Sequence, residues 1–197
     1  MQKEKFDPAT NLQGCFHGGE FGDVNPAITD SATFLFHKGE TMTGTFHGET
    51  QGCFLYSRHW NPMNMQLAKA LAAMEGTEAA WVTGSGMAAI TNAMMQLVGA
   101  GDHIVASPTV YGGTFAFLKN YLPKFNVEVS FADTTKPEEV EKAIRPNTKF
   151  IYTETMNNPM LRIADIPALS EMAHRHNVKL VVDNTFTPMI FSPARLG

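Results

Sequence analysis

Short apolar segments alternate with longer, helically patterned segments from residue 61 to residue 197. The short segments, of about five residues each, predict strands at 79–83, 103–107, 127–132, 149–155 and 179–182. The longer segments predict helices at 62–75, 85–98, 113–122, 137–144 and 166–176. Helical crossovers between strands are what parallel neighbours require, and the helices then cover both faces of the sheet. The sequence therefore predicts an α/β fold with a mainly parallel sheet, whose active groups gather at the carboxyl ends of the strands.

Two of the predicted helices carry recognisable start signals. Asn61 is the expected N-cap of the first, with Pro62 at its first position and Gly76 as the left-handed residue that ends it. Thr135 is expected to open a capping box before the helix that starts at Pro137. We found no internal repeat and no linker between residues 61 and 197.

Residues 1–60 have a different character. They are rich in glycine, threonine and phenylalanine, and they show no convincing helical period. We interpret 1–60 as an extended N-terminal arm and 61–197 as the α/β domain. An arm that cannot bury its own phenylalanines is expected to lie across a neighbouring subunit.

Charge and composition exclude several classes of protein. The formal net charge is −4 and there is no lysine-arginine run, which argues against nucleic acid or an anionic membrane as a partner. No apolar stretch approaches the roughly 18 residues of a membrane span, and the N-terminus lacks the apolar core of a secretory signal. Cys15 and Cys53 have neither metal nor redox spacing. These features predict a cytoplasmic protein.

A glycine-rich turn, residues 83–89, joins the predicted strand 79–83 to the next helix. Glycines let the backbone approach a ligand, and the first helical turn offers free N–H groups to an anion such as phosphate. Ser85 either adds a hydroxyl donor to that site or only caps the helix. Gly84, Gly86 and Ala89 also match a dinucleotide fingerprint, but that site needs an acid at the end of the next strand. Residues 105–108 hold no acid there, which weakens the dinucleotide hypothesis.

Three further strand ends carry candidate ligand-binding side chains. Tyr111 can lie flat against a planar ligand or simply pack over a turn. Asn158, held extended before a proline, either points its amide from the sheet edge or forms an ordinary turn. Asp183 follows a buried strand, where a carboxylate needs a positive or hydrogen-bonding partner unless it caps the next loop. Together with the phosphate cradle, these residues describe a flat, phosphorylated, nitrogen-containing ring, and pyridoxal 5′-phosphate (PLP) fits.

Five motifs in order resemble the cystathionine γ-synthase/methionine γ-lyase family of cysteine and methionine metabolism. They are Tyr56-Ser57-Arg58 with Asn61-Pro62, residues 84–89, residues 111–114, Glu154-Thr155 with Asn158-Pro159, and residues 181–186. The resemblance runs from about residue 52 to residue 197. It implies the large domain of a fold-type I PLP-dependent enzyme of transsulfuration. It also implies a homotetramer, a dimer of dimers with shared active sites.

The resemblance also implies roles for individual residues. The side chains matching Tyr56 and Arg58 reach the cofactor phosphate of the adjacent subunit, which suits a bidentate guanidinium. Tyr111 stacks on the ring and is a candidate acid/base toward the leaving sulfur, and Asp183 pairs with the ring nitrogen. The remaining cofactor-binding candidates are Ser85, Gly86 and Met87 at the phosphate, Asn158 near the ring hydroxyl, and Thr185.

In this family the Schiff-base lysine follows Ser-x-Thr on a later segment, and no lysine in 1–197 matches that position. We therefore expect residues 1–197 to be a fragment of a longer enzyme, unable to turn over alone.

The resemblance favours one reaction and leaves another open. Met87 in the glycine-rich turn and the segment 111–117 resemble the lyase branch, although Gly113 stands where methionine γ-lyases typically have cysteine. The leading hypothesis is a C–S lyase that acts by γ-elimination on a sulfur amino acid of the methionine, cystathionine or homocysteine type. The alternative is γ-replacement on an O-acylated homoserine. From a different class, a monomeric, non-catalytic phosphate-binding α/β module is also considered. A metal hydrolase is disfavoured because His174 and His176 are two apart on a helix.

Overall fold

The computed structural model describes residues 6–15 and 22–197. The chain divides into two compact units, Met1–Val82 and Thr83–Gly197. Each unit is described below by itself.

The described part of the N-terminal unit contains three helices, α1 (Pro8–Gly14), α2 (Gly39–Phe46) and α3 (Pro62–Glu75), with α1 packed against α3. The capping prediction for α3 is confirmed, since the Asn61 side chain accepts a hydrogen bond from the Met63 amide at 2.7 Å. Gly76 ends α3 with φ 68°, in the left-handed region.

Two expectations for the N-terminal unit are wrong. Residues 1–60 were expected to lack helices, but α1 begins at an Asp7 N-cap with Pro8 inside its start. A helix of seven residues is too short to display a period, so its cap was the only signal. Residues 79–83 form no strand; Trp81 in this segment stacks on Trp60, with ring centres 4.2 Å apart.

The C-terminal unit is built on a parallel sheet in the order β2-β1-β3-β4. The strands are β1 (His103–Ala106), β2 (Glu128–Phe131), β3 (Thr148–Glu154) and β4 (Lys179–Asp183). The helices are α4 (Gly86–Leu97), α5 (Gly112–Ala116), α6 (Pro137–Ala143) and α7 (Ile166–Arg175). The predicted α/β class with a parallel sheet is confirmed.

Helices cover both faces of this sheet because side chains alternate along its strands. Val105 and Ile151 pack on one face against α6 and α7. Ile104, Phe150 and Tyr152 point to the other face, where Met94, Leu118 and Leu122 cover them. Such two-sided burial is typical of a parallel sheet and leaves its strand ends as the accessible edge.

Two helix predictions need correction in detail. The segment 113–122 is not one α-helix, because α5 passes into a π-helical turn (Phe117–Tyr121) and a short 3-10 helix (Leu122–Phe125). Thr135 does not cap α6, since its hydroxyl donates to Asp133 at 2.7 Å and Lys136 takes the N-cap position. Among the described residues, none of the helices combines the length and apolarity that crossing a bilayer requires.

Candidate active site

The carboxyl ends of the strands in the C-terminal unit border a cleft of about 570 Å³. The sequence predicted seven of its lining residues: Ser85, Gly86, Met87, Tyr111, Asn158, Asp183 and Thr185. Its other lining residues are Ile90, Glu154, Met156 and Phe186. The fold therefore brings together side chains that lie up to a hundred positions apart in the sequence.

The first wall of the cleft is the N-terminus of α4. Ser85 caps this helix, since its hydroxyl accepts a hydrogen bond from the Ala88 amide at 3.1 Å. Within the described residues, the Gly86 and Met87 amides have no hydrogen-bond acceptor. Apart from its chain neighbours and the backbone of its own helix, a Cβ placed on Gly86 would meet no atom within 4 Å, so the space beside Gly86 is open. Free amides at a helix N-terminus attract an anion, which is the chemistry expected of a phosphate cradle.

Asp183 ends β4 and forms another wall. One carboxylate oxygen, Oδ1, accepts from the Thr185 amide at 3.0 Å and from the Thr185 hydroxyl at 2.5 Å. The other, Oδ2, accepts from the Tyr152 hydroxyl at 3.2 Å. These three donors keep a charged carboxylate oriented at the sheet edge, as a partner for a cationic N–H requires.

Tyr111 and Glu154 are linked across the strand ends. The Tyr111 amide donates to Oε1 of Glu154 at 2.7 Å. Burial raises the pKa of Glu154, the Tyr111 amide opposes this shift, and the nearby Asp183 charge adds to it. The Tyr111 side chain is 56% exposed and leans over Gly113, where a Cβ would stand 2.6 Å from its Cε1 atom. The tyrosine ring is thus anchored through its backbone while its phenol stays accessible.

Asn158 reaches the cleft from a loop that its neighbour Asn157 holds together. Asn157 is buried; its side-chain amide donates to the Thr109 hydroxyl at 2.8 Å and accepts from the Arg162 amide at 3.0 Å. The peptide bond between Asn158 and Pro159 is cis. Asn157 thereby connects the loop after β1 to the loop after β3.

Sequence reasoning missed Glu154 and Tyr152 as members of this site. Both lie on β3, two positions apart, so strand alternation places them on the same face as each other. The two-residue period of the strand could have pointed to Glu154, because Glu154 directly precedes residue 155, the predicted end of this strand. Tyr152 offered no such signal, because a tyrosine inside an apolar strand is read as core.

Tyr56 and Arg58 belong to the N-terminal unit. The Arg58 guanidinium carbon lies 4.6 Å from the centre of the Tyr56 ring, a cation–π contact. Their expected contact with a phosphate in a neighbouring subunit stays a prediction.

A larger groove, of about 1160 Å³, lies at the opposite end of the sheet. It is lined at the amino ends of β3 and β4 by Lys149 and Lys179, and it holds none of the predicted site residues. Because ligands of parallel α/β sheets bind at the carboxyl ends of the strands, we assign the candidate active site to the smaller cleft.

The donors and acceptors of this cleft fit PLP. Open amides stand at the N-terminus of α4 for the phosphate, and a carboxylate held by neutral donors stands at the end of β4 for a protonated ring nitrogen. The volume lies within the range of about 300–1,000 Å³ that is usual for small-molecule sites.

Comparison with known proteins agrees with this fit. The family model for Cys/Met metabolism PLP-dependent enzymes matches residues 13–197. A methionine γ-lyase of Arabidopsis thaliana is 47% identical over 97% of this chain and 45% of its own length. An L-methionine γ-lyase of Porphyromonas gingivalis is 44% identical over 100% of this chain and 51% of its own length.

Solved structures show the same fold. A Campylobacter jejuni protein, provisionally assigned as an O-acetylhomoserine (thiol)-lyase, superposes with a TM-score of 0.91 at 29% identity. The match covers 98% of this chain and 48% of that one, whose structure contains N′-pyridoxyl-lysine 5′-monophosphate. The chain spans about half the length of the relatives it matches. The chain therefore belongs to the family of PLP-dependent enzymes of cysteine and methionine metabolism.

Proposed function

We propose that the cleft binds PLP and that the whole protein is a C–S lyase, which removes the γ-substituent of a sulfur amino acid. One observation carries the proposal. A single cleft presents free helix amides on one wall and, on another, the Asp183 carboxylate held by neutral donors. In a family whose members are PLP-dependent, these two features suit the two ends of the cofactor.

Each predicted residue has an assigned task in this proposal. The Gly86 and Met87 amides and the Ser85 hydroxyl bind the phosphate, Tyr111 lies against the ring, and Asn158 contacts the ring hydroxyl. Asp183 accepts the N–H of the ring, and Thr185 steadies Asp183. When bound, the cofactor supplies an electron sink for charge that develops on the substrate.

Asp183 acts by keeping a proton on the ring nitrogen. A carboxylate beside a pyridine nitrogen favours its protonated form, and the donors from Thr185 and Tyr152 keep that carboxylate in place. Tyr111 moves a proton at its phenol oxygen, toward or from the leaving sulfur. Glu154 orients Tyr111 through its backbone amide.

Family membership speaks against the non-catalytic alternative but leaves γ-replacement as a second candidate. The similarity to methionine γ-lyases supports elimination. The structural likeness to a protein assigned as an O-acetylhomoserine (thiol)-lyase favours replacement.

One pair of incubations separates the two reactions. The whole protein, saturated with PLP, is incubated with methionine, cystathionine or homocysteine, and the 2-oxo acid, the ammonia and the released thiol (sulfide in the case of homocysteine) are measured. We expect the three products of elimination in equal amounts. A second incubation contains O-acetylhomoserine and a thiol. Formation of a new thioether amino acid there, with no 2-oxo acid from the first set, would overturn elimination in favour of replacement.

We also propose that the protein is a homotetramer in which Tyr56 and Arg58 bind the cofactor phosphate of a neighbouring subunit. Large apolar side chains of the N-terminal unit, including Val24, Ile28 and Leu35, are more than 80% exposed. An unpartnered apolar surface of this kind supports an interface. Light scattering of the whole protein tests the assembly, and a monomeric mass would contradict it. The cytoplasmic location stays a prediction.

A further inference from the structure

Tyr152 is a buried tyrosine that reaches the cleft only through its hydroxyl group. It lies on β3 beside β4, is 1% exposed, and packs among apolar side chains. Its hydroxyl donates to Oδ2 of Asp183 at 3.2 Å. A tyrosine needed only for packing would not have to place its hydroxyl on a candidate active-site carboxylate.

The hydrogen bonds of Asp183 leave one acceptor position open. An ionised carboxylate has about four lone-pair sites, two on each oxygen. The Thr185 amide and hydroxyl occupy both sites of Oδ1, whereas Tyr152 occupies one site of Oδ2. The oxygen with a free lone pair is therefore the oxygen that Tyr152 orients.

We propose that Tyr152 is a positioning residue that aims the free lone pair of Asp183 Oδ2 at the ring nitrogen of the cofactor. The proposal rests on the function proposed above, because it assumes that Asp183 receives the ring N–H. It adds which carboxylate oxygen does so and what holds that oxygen.

The surroundings of Tyr152 keep it a donor. Burial raises the pKa of the Tyr152 phenol, and the charges of Asp183 and Glu154 raise it further. The hydroxyl therefore keeps its proton at neutral pH and remains a hydrogen-bond donor to Asp183. In Tyr152→Phe the core keeps its volume, but only the Thr185 donors remain on Asp183, and both hold Oδ1.

The test measures noncovalent binding to the whole protein after its cofactor has been removed. The two probes are deoxypyridoxine phosphate, which has the ring nitrogen but no aldehyde, and its deaza analogue, in which C–H replaces that nitrogen. The affinity ratio of the two probes isolates the contact at the nitrogen, because losses elsewhere in the site affect both probes alike. Tyr152→Phe is compared with wild type, with Asp183→Ala, and with Tyr121→Phe, an exposed tyrosine of the same unit.

We expect Tyr152→Phe to lower the preference for the nitrogen-containing probe about three- to tenfold, the range for one ordinary hydrogen bond, because the lost bond acts on the ring nitrogen only through Asp183. Asp183→Ala should remove the preference, and Tyr121→Phe should leave it unchanged. If Tyr152→Phe kept the wild-type preference for the nitrogen-containing probe while Asp183→Ala lost it, only the positioning role of Tyr152 would be overturned. A wild-type protein with no preference would overturn the role of Asp183, and the inference about Tyr152 with it.

Discussion

Gly113 is the position where one added methyl group should separate activity from stability. It lies in α5, two residues after Tyr111. A Cβ at Gly113 would stand 2.6 Å from Tyr111 Cε1 and 3.0 Å from Met87 Sδ. Both atoms belong to side chains that line the cleft, so Gly113→Ala should displace those side chains and leave the backbone in place.

The size of the effect follows from these distances. The Tyr111 ring must retreat from 2.6 Å to the 3.4 Å at which ordinary contacts begin, a shift of about 0.8 Å. A misplacement of about 1 Å in a catalytic group costs on the order of a hundredfold in rate, or about 2.7 kcal/mol. The ring is more than half exposed and can move without opening a cavity, and alanine in a helix is more stable than glycine by about 0.5–1 kcal/mol.

We therefore expect Gly113→Ala to lower kcat/KM for γ-elimination about a hundredfold while the melting temperature stays equal or rises slightly. The matched control is Gly112→Ala in the same helix, where a Cβ would meet no atom within 4 Å apart from its two chain neighbours and the backbone of its own helix. Steady-state kinetics and thermal unfolding of the whole protein measure both quantities. If the two variants had the same kcat/KM, the position of the Tyr111 ring would not matter to the reaction.

Three further predictions concern Asp183, Arg58 and His103. Asp183→Ala should lower kcat at least about a thousandfold with an unchanged circular dichroism spectrum, because it removes the acceptor for the ring proton; near-normal turnover would refute that role. Arg58→Ala should weaken PLP retention in the proposed tetramer about tenfold or more, measured as cofactor released on dialysis, and unchanged retention would exclude the contact with a neighbouring subunit. Burial, with a smaller effect of Arg145, lowers the pKa of His103, so this histidine binds a proton less readily in the folded state. Its contribution to stability is thus complete above its ordinary pKa of 6.5 and is lost as the pH falls below that value, by at most about 1.4 kcal/mol per pH unit. The urea midpoint of unfolding is measured at about pH 7.5 and about pH 5.5, and its decrease between the two should be larger for wild type than for His103→Asn. The control His174→Asn, which replaces an exposed histidine, should show the same decrease as wild type.

Part of the site could be predicted from the sequence because β4 ends in a polar residue, Asp183, after an apolar run. Asp183 was found in this way, whereas Ser85 was found from the glycine-rich turn before α4, and the fold brings both residues to one cleft. The glycine-rich turn gave the free amides, since a cap and a helix start are local features.

Contacts between strands and between distant rings could not be predicted from the sequence. Tyr152 has the pattern of a core residue, and only the register of β3 against β4 shows that its hydroxyl meets Asp183. The segment 79–83 has the composition of a strand but forms none, and its Trp81 stacks on the distant Trp60. The interaction that determines each of these outcomes lies outside the local window that a pattern can read.

The most direct test of the proposed cofactor site is the intact mass of the whole protein after addition of PLP and reduction with borohydride, which fixes a lysine-bound cofactor irreversibly. We expect one cofactor adduct per chain in the wild-type protein. A protein that remains unmodified at saturating PLP would contradict the assignment of this cleft as a cofactor site.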